Sequence, residues 1–188
     1  VLSGFVTIAA FFYPEVIDPR LRNKKSESSA EFSCETLENR EALYKSAAEV
    51  IGSAKSILDT TWGPEPSEPS PSELAARAKY LDAKRRAIRG GAGYCEIVSS
   101  APLAEIGTED SEKLKHGHPN FWVAALGGPT TEAYMIDFLV ADEQQIIFSH
   151  VHSTVPGGMN RYLCCKCEPL AKLFAGLFRQ CWDIAKEV

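Results

Sequence analysis

Positive charge is scarce in this sequence. Its 188 residues include 20 lysines and arginines against 25 aspartates and glutamates, and the formal net charge is -5. The densest basic cluster, Lys84, Arg85 and Arg86 with Arg89, lies in a helical pattern and is interpreted as a solvated helix face. A protein that binds the phosphate backbone of nucleic acids in general would be more basic. Nucleic acid is therefore not expected as a partner.

The sequence also lacks the cysteine pattern of a small secreted protein. It has six cysteines and 45% hydrophobic residues, so a chain of this length can form a core without a disulfide framework. We therefore expect reduced thiols and a cytoplasmic location, either free or on the cytoplasmic side of a membrane. The six are Cys34, Cys95, Cys164, Cys165, Cys167 and Cys181.

No charge-free run at the start of the sequence is long enough to cross a bilayer. Residues 1–14 carry no charge, but a membrane helix needs roughly 20 residues. This stretch is a core or interface segment, the end of a truncated membrane helix, or part of a signal sequence, although no basic region precedes it. The basic residues within 18–25 would suit the cytoplasmic side of an anchor. We divide the sequence into an apolar segment with a polar linker, 1–32, and one domain, 33–188.

Hydrophobic periodicity predicts three helices and several strands in the domain. The first helix is capped by Ser33 or Thr36 and runs to about Ala54. The second runs over 72–89, ends at two glycines, and buries Leu74, Ala78, Leu81 and Ile88. A closing amphipathic helix spans 168–187, and residues 102–117 are a further, mostly polar helical segment.

Short apolar segments between these helices predict the strands of one sheet. The proline-rich residues 62–71 form an exposed loop between a strand and the second helix. The predicted strands are 56–61, 93–98, 121–126 and 161–167, with a hairpin of 134–141 and 145–151. The predicted fold is therefore α/β, with a mixed sheet flanked by helices on both faces.

The hairpin carries the most informative motif of the sequence. The motif reads Met135-x-Asp137-x4-Asp142-x6-Ser149-His150-x-His152. Its spacing resembles that of phospholipase D-like proteins, whose motif is His-x-Lys-x4-Asp followed after six residues by Gly-Ser-x-Asn. The helix ending in Arg-Gly before strand 93–98, the strand at 57–61 and the closing helix are similar to the same family. The resemblance covers roughly residues 38–188.

The resemblance implies a domain that has lost its active site. In active members the motif histidine attacks phosphorus, and Met135 stands in its place, although a thioether cannot carry a phosphoryl group in this way. Asp137 replaces the lysine that neutralises the phosphate oxygens, and a carboxylate would repel them. Asp142 matches the motif aspartate, but an aspartate at a hairpin turn also has an ordinary structural reason. No catalytic residue, cofactor or metal is assigned.

We expect a non-catalytic sensor, ligand-binding or protein-interaction domain with an unidentified small ligand or protein partner. It would be a homodimer, since active family members assemble two such halves around one cleft, and a membrane tether through residues 1–14 stays open. The residues predicted to bind the ligand lie at the end of the first strand, where α/β sheets place ligands, and along the hairpin. They are Asp59, Trp62, Asp137, Asp142, His150 and His152.

Two other functions stay open. A phosphodiesterase or nuclease of the same fold could use His150 or His152 in a shifted register. A zinc-binding module could combine these two histidines, which share one strand face, with cysteines of strand 161–167. A cysteine and histidine nucleophile pair would need a thiol with a lowered pKa, and nothing in the sequence localises one.

Overall fold

A mixed β-sheet forms the centre of the computed structural model, which describes residues 32–61, 69–98, 117–126, 137–149 and 162–187. These residues all belong to one unit, Glu31–Val188. In these ranges the helices are α1 (Arg40–Ser53), α2 (Pro71–Arg89) and α3 (Glu168–Ile184). The strands are β1 (Ser33–Leu37), β2 (Ser56–Thr61), β3 (Gly93–Val98), β4 (Phe121–Ala125), β5 (Asp137–Ala141), β6 (Gln145–Ser149), β7 (Tyr162–Lys166) and β8 (Lys186–Glu187).

The sheet has the order β1-β7-β6-β5-β2-β3-β4-β8. Strands β2, β3 and β4 are parallel to one another, and the other pairs are antiparallel. Helices α1 and α2 pack on one face, where Ile51 and Ile88 are fully buried, and α3 packs on the other through Phe174 and Phe178. The predicted α/β fold, a mixed sheet with helices on both faces, is confirmed.

Two predicted helix ends are wrong because strand pairing replaces the helix there. Residues Ser33–Leu37 form β1, which pairs with β7, and α1 begins at Arg40 after Asn39, whose side chain accepts a hydrogen bond from the amide of Ala42 at 2.9 Å. The closing helix stops at Ile184, and Lys186–Glu187 pairs with β4. In both places long-range pairing overrides the local helical pattern.

Helix α2 agrees with its predicted length but not with its predicted buried face. It begins with a capping box between Ser70 and Glu73 and ends before Gly91, whose φ of 90° is in the left-handed region that glycine adopts most easily. Leu74 is 48% exposed and Ala78 is also exposed. The buried positions are Ala76, Ala83, Lys84 and Ile88. The helix is therefore rotated relative to its apolar pattern, and a lysine faces inward.

The other predicted elements agree with the structure where it describes them. The hairpin is β5 and β6, and its turn begins with Asp142 and Glu143 at φ 52° and 54°. Positive φ at two consecutive positions is the geometry of a tight hairpin turn. The predicted loop 62–68, most of the helical segment 102–117, and the outer ends of the hairpin at 134–136 and 150–151 lie outside the described residues. Within the described ranges, no helix has both the length and the apolar character to cross a bilayer.

The expectation of reduced thiols is wrong for two of the six cysteines. Cys34 on β1 and Cys165 on β7 form a disulfide across 131 residues of sequence. The two residues are register partners in the antiparallel pair, so their side chains leave neighbouring strands at the same level. Cys95, Cys164, Cys167 and Cys181 are free thiols. A disulfide between register partners depends on the fold, and cysteine spacing in the sequence does not reveal it.

Candidate functional site

The centre of the candidate site is a pair of buried carboxylates on neighbouring strands. Asp59 on β2 is the register partner of Glu96 on β3 and of Leu139 on β5. Asp59 and Glu96 lie on the sheet face that α1 and α2 cover, since Ile57 and Tyr94, two residues before them, belong to that core. They are 4% and 6% exposed. Two carboxylates side by side away from water are costly unless other groups compensate them.

Two tyrosine hydroxyls converge on Asp59. Tyr80 of α2 donates to Oδ2 at 2.9 Å, and Tyr94 of β3 donates to the same oxygen at 2.5 Å. The pKa of Asp59 is raised from 3.8 to about 6, mainly by burial and also by the nearby charge of Glu96, while Lys84 and the two hydroxyls oppose the shift. Burial also raises the pKa of both tyrosines well above 10.0, so they stay neutral hydrogen-bond donors.

Lys84 supplies the counter-charge from α2. Its Nζ donates to Glu96 Oε2 at 2.6 Å, and the two side chains are 9% and 8% exposed. The ammonium also lies 4.9 Å from the ring centroid of Tyr94 and 5.6 Å from that of Phe121, within the range of a cation–π contact. The interpretation of Lys84 as part of a solvated helix face is therefore wrong.

Backbone pairing between β2 and β5 stops near the carboxyl end of β2, which is termed the site end. The backbone register between β2 and β5 ends at the pair Asp59 and Leu139. Beyond it the hydroxyl of Thr60 bridges the strands, since its Oγ1 accepts from the amide of Phe138 at 2.8 Å and donates to the carbonyl of the same residue at 3.1 Å. The buried hydroxyl thus replaces ladder hydrogen bonds at the carboxyl end of β2.

The hairpin places its two aspartates at opposite ends of β5. Asp137 is the first residue of β5, half-buried, and on the same sheet face as Leu139 and Asp59. It therefore lies at the site end, next to the carboxyl end of β2. Asp142 follows the last residue of β5, about 17 Å farther along the strand at roughly 3.4 Å per residue. Its Oδ1 accepts from the amides of Lys55 and Ser56 at 3.0 and 2.8 Å.

Known structures share this fold, although no family model matches the sequence and no curated protein matches it. Nuc from Salmonella typhimurium, a phospholipase D family member, has a TM-score of 0.54 and 14% identity over 84% of this chain and 99% of that one. NucT from Helicobacter pylori has a TM-score of 0.56 and 10% identity over 84% of this chain and 100% of that one. This chain has a phospholipase D-like fold.

A third match shows that the fold is not tied to one activity. TrmBL2, an archaeal chromatin protein with a novel mode of DNA binding, has a TM-score of 0.57 and 14% identity over 83% of this chain. This chain spans about half of TrmBL2, 55% of its length. At such low identities the shared property is the fold, and function has to be argued from the site.

Within the phospholipase D-like fold, the motif aspartate of this chain has a structural contact. The Asp142 carboxylate joins the hairpin turn to the start of β2 through two backbone amides. A carboxylate that accepts two amide hydrogen bonds stabilises the backbone it spans. The ligand-binding role of Asp142 stays a prediction, and the structure does not bring Asp142 together with Asp59 and Asp137.

The other predicted site residues lie outside the described residues. They are Trp62, His150 and His152, together with Met135 at the histidine position of the motif. The proposed zinc ligands can be followed only in part. Cys164 and Cys167 have a Cys-x2-Cys spacing, but in the part of the chain that the structure describes, no three histidine, cysteine or acidic side chains are placed to hold a metal ion.

Four residues of the cluster escaped the sequence interpretation: Tyr80, Lys84, Tyr94 and Glu96. One signal was present for Glu96, because it interrupts the apolar strand Gly93–Val98, whose register places it in the middle of the sheet. A second signal was the spacing of Tyr80 and Lys84, which lie one helical turn apart on the same side of α2. Each signal is weak alone, because charged residues on helices are usually solvated.

Proposed function

We propose that this protein is a non-catalytic phospholipase D-like domain that binds a small ligand or a partner protein at the site end of β2, β3 and β5. The single observation that carries the proposal is the position of Asp137. Asp137 begins β5 on the sheet face that carries Asp59. It precedes Asp142 with the same spacing as the lysine precedes the aspartate in the motif. A carboxylate therefore occupies the position where the resemblance expects an ammonium.

The electrostatics of the cluster support this proposal. Asp59, Glu96 and Asp137 contribute three carboxylates on one sheet face, and the ammonium of Lys84, which lies near Asp59, is paired with Glu96. Two unit charges 4 Å apart interact by about 1 kcal/mol in water and by about 4 kcal/mol near a protein surface. A bound phosphodiester would meet this repulsion without a compensating cation from position 137. A neutral or cationic ligand group suits the site better.

The proposal predicts no phosphodiester hydrolysis. The full chain should hydrolyse bis(p-nitrophenyl) phosphate at the rate of buffer alone, because Met135 cannot form a phosphohistidine and Asp137 cannot neutralise the phosphate. The same background rate is expected for His150→Ala and His152→Ala, and for His118→Ala, a control histidine just before β4. Release of p-nitrophenolate at 405 nm is the measurement.

A clear activity would favour the alternative hydrolase or nuclease. Turnover above background that falls at least tenfold in His150→Ala or His152→Ala, but not in His118→Ala, would contradict the non-catalytic proposal. A stoichiometric metal in protein purified without chelator would favour the zinc-binding alternative instead. Metal content is therefore determined on the same preparation by atomic emission.

The proposal also includes a homodimer and allows for a membrane tether. A dimer is supported by the family resemblance, in which two halves share one cleft. A tether is supported by the charge-free residues 1–14 and the basic residues within 18–25. Sedimentation equilibrium at micromolar concentration should give twice the chain mass of 20.6 kDa. A single species at the chain mass would exclude the dimer, and failure to float with lipid vesicles would show that residues 1–14 alone do not hold the protein on a membrane.

A further inference from the structure

The Asp59 cluster holds two buried carboxylates against one ammonium. Asp59 and Glu96 are register partners on neighbouring parallel strands, so their side chains leave the sheet side by side. Lys84, only 7% exposed, gives its ammonium to Glu96 at 2.6 Å. Asp59 therefore depends on two neutral donors, the hydroxyls of Tyr80 and Tyr94, for its direct hydrogen bonds.

The remaining elements around Asp59 bring apolar or acidic groups. From β5, Leu139 is the register partner of Asp59, and Asp137 is the next residue on the same face. From α1, the ring of Tyr44 packs on that of Tyr80 with 5.7 Å between centroids. The apolar neighbours favour the neutral form of the Asp59 carboxyl over the ionised form, because they add low polarity.

Helix α2 is held to the sheet by the same groups. Tyr80 and Lys84 lie one turn apart on α2, and each contacts one carboxylate of the pair, Asp59 and Glu96 respectively. The charge on Asp59 therefore acts where α2 meets β2 and β3. A change in that charge therefore alters the free energy of packing α2 on the sheet.

We propose that Asp59 is a proton-operated switch that sets how firmly α2 packs on the sheet. With a neutral Asp59 carboxyl, the pair carries one negative charge, which Lys84 compensates, and α2 is held firmly. With an ionised carboxyl, the pair carries two negative charges against one positive charge, and α2 opens more readily. The switch is independent of the proposed ligand and goes beyond the proposed function.

The direction of the pH dependence follows from the two states of the carboxyl. The pKa of Asp59 is raised from 3.8 to about 6 in the folded protein, mainly by burial. The folded protein then holds a proton that the unfolded or locally open form has released, so protonation stabilises the packed state. Stability from this group is present below about pH 4 and is lost as the pH rises from about 4 to about 6.

A carboxyl titration of the full-length wild-type protein tests the switch directly. The ¹³C resonance of the Asp59 carboxyl should titrate with a midpoint near 6, and Glu96→Gln should lower that midpoint because a like charge is removed. The carboxyl resonance of Asp82, an exposed residue of α2 that pairs with Arg86, is followed in the same spectra as an internal control. A wild-type Asp59 midpoint of 5 or lower would overturn the proposal.

Hydrogen exchange tests the mechanical consequence. Protection factors of α2 amides from residue 80 to residue 88, corrected for intrinsic exchange, should be about tenfold lower at pH 7 than at pH 5. Asp59→Asn should abolish this difference, whereas the control Asp82→Asn should keep it. A wild-type ratio below threefold, or a ratio that persists in Asp59→Asn, would overturn the proposal. If Asp59→Asn does not fold, the wild-type titration still decides.

Discussion

Replacing Lys84 with methionine should lower the free energy of unfolding by about 3–5 kcal/mol. The methionine keeps much of the lysine stem but removes the ammonium, so Glu96 stays buried with its negative charge uncompensated. Asp59 then faces a second carboxylate without a cation, which adds to the cost. Urea unfolding followed by far-ultraviolet circular dichroism measures the change, with the midpoint and slope fitted separately.

A double replacement distinguishes the cost of an unpaired buried charge from the cost of lost side-chain packing. Lys84→Met together with Glu96→Leu should recover much of the lost stability, because replacing a buried ion pair by apolar residues is often neutral or stabilising. Arg86→Ala is the matched control on the same helix, since Arg86 and Asp82 form an exposed pair with 69% and 55% of their side-chain surface accessible. It should cost no more than about 0.5 kcal/mol. Equal effects of Lys84→Met and Arg86→Ala would show that the Lys84 site is solvated.

The parts of the fold that the sequence predicted are those with a local cause. The hairpin turn at Asp142 and Glu143 was predicted because polar turn residues separate two apolar runs, and Gly90 with Gly91 marked the end of α2. Strand β1 has no such local cause. Leu37 is its one buried residue, and its strand conformation depends on β7, which lies more than a hundred residues later in the sequence.

The residues of the candidate site also differ in whether the local sequence predicts them. Asp59 and Asp137 were predicted from their places at a strand end and in a motif, and the structure puts both on one sheet face. Lys84 was predicted to be exposed because its neighbours Arg85 and Arg86 suggested a solvated helix face. Only the packing of α2 on the sheet turns that lysine toward Glu96. The spacing of apolar residues predicts the wrong buried face for a helix whose inward side includes a paired charge.

The buried cluster and the residues at the motif positions are consistent with one proposed function. A buried carboxylate such as Asp59 destabilises a fold at neutral pH, so its presence calls for a compensating role. Asp137 stands where the motif has a lysine, and Met135 stands where it has a histidine. Under the proposed function the site does not need to attract phosphate. An acidic sheet face is then compatible with binding or pH response.

The second large effect should come from α3, which supports the opposite face of the hairpin. Phe174→Ala should lower the free energy of unfolding by about 3–5 kcal/mol, because it leaves a cavity in the core. The Phe174 ring is 5% exposed, stacks on Phe148 at 5.8 Å and meets Phe138 edge to face at 5.1 Å. Thermal and urea unfolding of the purified variant measure the loss.

Leu173→Ala is the matched control, because it removes an apolar side chain from the adjacent residue of α3 that is 53% exposed. It should change stability by no more than about 0.5 kcal/mol. Phe138 follows Asp137 on β5, and its backbone amide and carbonyl form the hydrogen bonds to the Thr60 hydroxyl. A cavity beside Phe138 should therefore also destabilise the start of β5, where Asp137 lies. Equal losses for both variants would mean that α3 does not pack on β5 and β6 as the structure has it, and the placement of Asp137 on the site face would lose its basis.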